Sequence, residues 1–263
     1  MAVAGPAATV PVAAVLERSR GRRARLLAWL GMPVFLALVC LGLWLYVSSL
    51  TLDTIEARSL NATVVRTTVL RHVQLTAVST VLVVAIAVPL GVLLTRPFTR
   101  RVRGPVLTVA NIGQAVPTIG LLALLAVAFF FLGFWAAIVG LVVYAVLPVL
   151  RNTMVGLQQV DPAVLEAGRG MGLSRMQVLR ELELPLAVPV ILAGVRTALV
   201  INVGTATLAA FINGGGLGSL IVAGFATNRF PISLTGAVLT AVLALLIDHL
   251  AGIAEDLLRP KGL

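Results

Sequence analysis

Two long apolar runs, Val73–Thr95 and Pro105–Leu150, contain no charged residue. Each is longer than the roughly 20 residues that carry a helix across a bilayer core. In lipid the backbone must satisfy its own N–H and C=O groups, so runs of this kind form helices. Similar stretches occupy Leu26–Leu50, Pro185–Ile212 and Ile232–Ala254. Apolar residues make up 59% of the chain and charged ones 11%, and mean hydropathy is +1.06. A soluble domain is about half apolar, so a soluble protein is excluded. The chain is expected to be all-α, a polytopic membrane protein with about six transmembrane helices.

The net charge of +10 would suggest nucleic acid in a soluble chain. Here the positions decide. Arg18, Arg20, Arg22, Arg23 and Arg25 precede the first apolar run, and Arg96, Arg100, Arg101 and Arg103 follow the second. Arg151, Arg169, Arg175 and Arg180 lie in a long polar loop, and Arg259 and Lys261 close the chain. Clusters of this kind mark the cytoplasmic side. The basic balance therefore implies an anionic lipid surface and an orientation, not a nucleic-acid partner. Six spans place both termini in the cytoplasm, with Arg58, Arg66, Arg71 and Arg229 as an outside minority. Cys40 is the only cysteine, which rules out an intrachain disulfide or a cysteine-rich metal site.

The organisation follows. Residues 1–25 read as a disordered cytoplasmic tail, and residues 26–263 as one transmembrane domain. Leu26–Leu50 is too long for the apolar region of a signal peptide and reads as an uncleaved first span. His72–Thr95 forms the second span, Pro105–Phe131 the third and Ala136–Leu150 the fourth. A long inside loop over 151–184 precedes Pro185–Ile212 and Ile232–Ala254. His72 and His249 fall at span ends, as interface residues.

That loop is the most specific part of the chain. Asp161 can cap a helix whose first residue is Pro162, and the helix is expected to end near Gly170. Ala167 and Gly168 are small enough for another surface to approach, and Glu166 offers a charged acceptor. Gly172 permits the left-handed backbone of a turn, and Ser174 caps a second helix from Arg175. Leu184-Pro185 returns the chain to the membrane. The spacing is Glu166-Ala167-Gly168, three residues, Gly172, nine residues, then Leu182-Glu183-Leu184-Pro185. It resembles the EAA motif of ABC importer permeases, through which a membrane subunit grips its ATPase. Gly168 stands where the family has a second alanine, which costs roughly 1 kcal/mol of helix propensity and implies a looser helix.

Further segments resemble the osmoprotectant branch of that family, which imports glycine betaine, choline, carnitine or proline betaine. They are Gln114–Ile119, Leu147–Thr153, Ala193–Ala198, Gly204–Ile212 and Gly215–Gly218. The resemblance implies a type I ABC importer permease fold in a bacterial cytoplasmic membrane. It implies a second permease subunit, identical or paralogous, a cytosolic ATPase dimer and an extracytoplasmic solute-binding protein. The chain itself would bind no cofactor; ATP and Mg would be used by the ATPase. The coupling residues would be Asp161, Pro162, Glu166, Ala167, Gly168, Gly172, Leu184 and Pro185. Permeases for methionine and other small solutes share the short motif, so they remain the alternative within the class.

Polar groups inside a membrane are functional candidates. Asn111 and Gln114 lie about one turn apart, and Asn202 and Thr205 lie along the fifth span. They either line a path or bond neighbouring helices. Arg196, well inside the fifth span, must snorkel, face water or find an acid, and Asp248 on the sixth span is the obvious one. The run Gly214, Gly215, Gly216, Gly218 suits a gate or docking loop at the outer mouth. A proton-coupled carrier would want mid-membrane titratable groups, and an enzyme would want a nucleophile with its base. The sequence offers neither clearly.

Overall fold

The computed structural model describes residues 12–258, with side chains from residue 29 onward. Every regular element among them is helical. In order they are α1 (Val12–Ser49), α2 (Thr54–Ser59), α3 (Ala62–Leu94), α4 (Arg100–Ala115), α5 (Thr118–Ala128), α6 (Phe134–Gln158) and α7 (Pro162–Gly170). The short α8 (Arg175–Gln177) runs through a π-helical turn, Val178–Glu183, into α9 (Leu184–Thr205). A 3₁₀ segment, Ala206–Ile212, continues α9, and α10 (Gly218–Ala226) and α11 (Phe230–Leu258) follow. Residues 1–11 of the expected tail, with Arg259 and Lys261, lie outside the described residues. The first helix already begins at Val12, because Ala, Leu and Arg favour helix beyond the apolar window.

Among the described residues, five helices are long and apolar enough to cross a membrane. The third span is not the single straight helix expected: α4, with its leading 3₁₀ turn, and α5 meet at 90°. Pro117 is the cause. It disfavours the helical region for the residue before it, and Val116 is extended at φ −66°, ψ 129°. Counted as one bent span, the pair makes six. The other helices overrun their apolar windows. α6 continues past Leu150 to Gln158 because Thr153, Met154, Gly156 and Leu157 stay buried.

The core is formed where α6 packs on α3 and α9. Small residues bring these helices together, as in other membrane bundles. A Cβ on Gly194 of α9 would lie 2.6 Å from the Cβ of Asn152 on α6, and one on Gly91 of α3 would lie 2.7 Å from Thr153. Val83, Ala87, Ala145, Val149, Leu150 and Ala198 fill the space between. α1 packs mainly on α11 and leaves Leu30, Phe35, Leu38 and Trp44 exposed, a face made for lipid.

Side chains close the helix starts. Asp53 and Glu56 form a reciprocal capping box on α2, and Asn61 accepts from Val64 N–H on α3 at 2.9 Å. Asp53 also accepts from Arg229 Nε at 2.5 Å, tying the α1–α3 connection to the α10–α11 turn. The Glu56 N–H, then Arg229, hold the Asp53 carboxyl below its ordinary value. A lowered folded value means that its contribution is present above the unfolded value and is lost as pH falls through the folded one.

Two outcomes are expected. Gly194→Ala should lower the melting temperature of the detergent-solubilised protein, by roughly 1–3 kcal/mol of overpacking. Gly204→Ala, where a Cβ meets nothing within 4 Å, should not. Amide exchange at Ile55 and Glu56 should stay slow down through the ordinary aspartate range near about 4. Arg229→Gln should move their release to higher pH.

Candidate functional site

The loop element forms as its residues dictate. Asp161 Oδ1 accepts from Ala163 N–H at 2.8 Å, with Pro162 in the first turn. Ser174 and Gln177 form a second capping box. Gly172 has φ +89° with open space around it, so the turn requires glycine by conformation rather than by crowding. Glu166 and Ala167 lie on the exposed side of α7. Gly168 does not. It is buried, and a Cβ there would lie 2.5 Å from Leu182 Cδ1. Its missing side chain lets α7 rest on the π-helical turn, and the helix runs through Gly170. Leu184 and Pro185 start α9 in the same packed element.

Glu183 anchors the element. Its carboxylate is buried and is held from both sides by the Arg96 guanidinium, with Nη1–Oε1 at 3.3 Å and Nη2 on Oε2. Arg96 follows α3, so this pair fastens the α7–α9 element to the α3–α4 connection. A groove of about 510 Å³ opens beside it, lined by Arg96, Phe98, Arg169, Arg175, Met176 and Glu183. Phe98, Met171 and Met176 are largely exposed around this end. An exposed apolar cluster rimmed by arginines marks an interaction surface. Sequence reasoning missed the Arg96–Glu183 pair, because 87 residues separate its members.

The intramembrane candidates divide. Arg196 and Asp248 do meet, Nε–Oδ1 at 2.6 Å and Nη2–Oδ2 at 2.8 Å, with Glu255 Oε2 at 3.7 Å from Nη1. They join α9 to α11 beside a cavity of about 550 Å³ that Trp29 and His249 also line. Asn111 is exposed, and its Oδ1 accepts from Arg151 Nη2 at 2.6 Å. Gln114 is half-buried one turn on, just before the break at Pro117. Asn202 is fully buried between α9 and α3, where it donates to Thr80 Oγ1 at 3.0 Å. Thr205 donates to Ile201 O at 2.6 Å, the back-bonding expected of a helical threonine.

At the opposite end the run from Gly214 to Gly218 lies against α3. Gly215 and Gly216 have φ of +83° and +89°, and a Cβ on Gly218 would lie 1.9 Å from Thr207 O. Arg71 Nε donates to Gly214 O at 3.2 Å, and its guanidinium lies 4.1 Å from the centre of the Phe134 ring. His72 corrects the sequence reading. It is no interface residue but is fully buried, bonded to Val203 O and to Leu217 N–H. A helical offset of four from His72 to Thr76 and Thr80 was legible, but only the fold shows that this face meets α9.

These features define an all-helical membrane subunit with a built surface element at its arginine-rich end. Residues 87–261 match the family described as binding-protein-dependent transport system inner membrane component. The chain belongs to this family, as a multi-pass inner-membrane permease subunit. It is 44% identical over 191 residues to the carnitine transport permease protein OpuCD of Listeria monocytogenes, covering 72% of this chain and 84% of that one. It is 41% identical to the choline transport system permease protein OpuBB of Bacillus subtilis, covering 73% and 87%. The osmoprotectant import permease protein OsmY of Salmonella typhimurium is 37% identical, over 82% and 90%. Among solved structures, the MetNI methionine ABC transporter in an inward-facing conformation aligns with a TM-score of 0.65 and 26% identity, over 74% of this chain and 96% of that one. A bacterial alginate ABC transporter aligns with a TM-score of 0.61 and 16% identity, over 94% and 98%, a likeness of fold.

Breaking the pair at the arginine-rich end should be costly. Arg96→Leu leaves a buried carboxylate unpaired and should cost roughly 2–3 kcal/mol, read as a lower melting temperature and yield. The double variant Arg96→Leu/Glu183→Leu should recover most of that loss.

Proposed function

We propose that this chain is the translocating subunit of an ATP-driven importer for a compatible solute of the quaternary-amine type. What carries the reading is the identity of 37–44% to carnitine, choline and osmoprotectant permeases over most of the chain. In this reading the arginine-rich end faces the cytoplasm, as the positive-inside rule demands, and both termini lie there.

The partners follow from the surfaces. A cytosolic ATPase dimer, using ATP and Mg, grips the exposed face of α7 around Glu166 and Ala167. The rigid α7–π-turn–α9 element then carries its motion into the bundle, because Gly168 on Leu182 and Arg96 on Glu183 leave little slack. A second permease, a copy or a paralogue, completes the path, and a solute-binding protein delivers the substrate on the far side. Quaternary ammonium groups are held by aromatic faces, and this chain has three Trp and two Tyr. Trp44 and Trp135 are mostly exposed near helix ends, where they anchor at the interface. Selectivity therefore rests with the binding protein.

The test is co-purification in mild detergent followed by uptake in proteoliposomes. The chain should bring down an ATPase and a second permease. With the binding protein, it should support ATP-dependent uptake of betaine, choline or carnitine. Uptake of methionine alone would overturn the substrate, and a chain that always purifies without an ATPase would overturn the class. Gly172→Val puts a β-branched residue at φ +89°, which such residues avoid. It should cut coupled uptake at least tenfold while leaving membrane insertion unchanged.

A further inference from the structure

The His72 ring ties three parts of the molecule together. Leu217 N–H can only donate, so Nδ1, 3.2 Å away, carries no proton. Nε2 therefore carries it and donates to Val203 O at 2.9 Å. The neutral Nε2–H tautomer uses both nitrogens: one holds the end of α9, the other the glycine run. Glycine is what permits this contact, since a Cβ on Gly216 would lie 3.0 Å from Nδ1 and one on Gly215 would lie 2.9 Å from Arg71 Cγ.

The seam beneath the ring is different in kind. His72, Thr76 and Thr80 follow one another at helical spacing down α3, facing Asn202 and Val203 of α9. Asn202 bonds Thr80, yet Thr76 Oγ1 and Asn202 Oδ1 are buried without a partner. Buried polar atoms are almost always bonded. Two orphans on one helix–helix seam leave it only partly satisfied, so the polar contact of α3 with α9 rests on the His72 and Asn202 bonds.

We propose that His72 is the positioning residue of the outer gate. Through its unprotonated Nδ1 it fixes the Gly214–Gly218 run to α3, and through Nε2 it makes that run follow the register of α9. The glycine run is then set by the helix seam. A transport cycle that shifts α9 along α3 must release or re-aim the ring, and the run moves with it. This inference rests on the permease reading, in which this end faces outward.

The experiment separates the two nitrogens. In a Cys40→Ala background with Ser219→Cys as reporter, His72→Asn places an oxygen where Nδ1 was. His72→Gln places its amide nearer Nε2. His72→Asn keeps the Leu217 contact and should leave membrane-impermeant maleimide labelling of Ser219→Cys within about twofold of the parent. His72→Gln and His72→Leu should lose uptake at least tenfold and label Ser219→Cys several-fold faster. Equal labelling in the Asn and Gln variants would overturn the proposal. Should the variants fail to fold, ¹⁵N NMR of histidine in His249→Gln protein, which leaves one ring, decides instead. An Nε2–H tautomer at neutral pH supports the clamp; an Nδ1–H tautomer or an imidazolium overturns it. Labelling and tautomer are read on the chain without substrate. A parent that shows no ATP-driven uptake would thus sink the permease reading and leave the clamp standing.

Discussion

The close approach of α3, α6 and α9 is the contact on which the rest of the structure depends. Lipid gives helices little hydrophobic reason to associate, since tails are as apolar as leucine. What remains is dispersion, which falls off steeply with distance. Gly91, Gly156 and Gly194 let backbones and short side chains touch, so these helices gain contacts that larger residues would forfeit. The peripheral α1, with its exposed leucines and aromatics, has no such seam and packs mainly on α11.

That core also sets what its two ends can do. At the arginine-rich end, α9 continues back through the π turn to α8, and α7 folds onto it. A push on α7 therefore meets a helix that runs into the bundle. At the other end α9 tightens into the 3₁₀ segment and delivers the glycine run against Arg71 and His72. One continuous helical element, Arg175–Ile212, thus links the two candidate working surfaces. Coupling between distant sites requires a rigid element that reaches both, and the Arg175–Ile212 element does so.

Polar side chains inside the bundle are spent on fastening as much as on a path. Arg196 with Asp248 and Asn202 with Thr80 each join two helices. Asn111, though exposed, does the same with Arg151, joining α4 to α6 close to the break at Pro117. The bent α4–α5 pair packs on α6, as irregular backbone at membrane depth is tolerated only beside protein or water.

Much of this was legible without coordinates. Hydropathy runs located the spans, because the bilayer demands helices of a minimum length. Asp161-Pro162, Gly172 and Ser174 located α7 and its successor to the residue, because caps and left-handed turns are local chemistry. Arg196 and Asp248 were paired in advance, since two opposite charges in lipid have few other partners. The break at Val116–Pro117 was visible in the proline but not in its 90° consequence, which depends on what α5 packs against. Arg96–Glu183, Asp53–Arg229 and His72–Leu217 were not legible at all. Their members lie far apart in sequence, and which face of each helix meets which neighbour is decided by packing. The sequence by itself determined which segments must cross lipid and where the capped loop helices begin, for these are properties of short windows. Only the tertiary structure decided which polar groups meet, because that follows from how closely the small residues allow α3, α6 and α9 to approach.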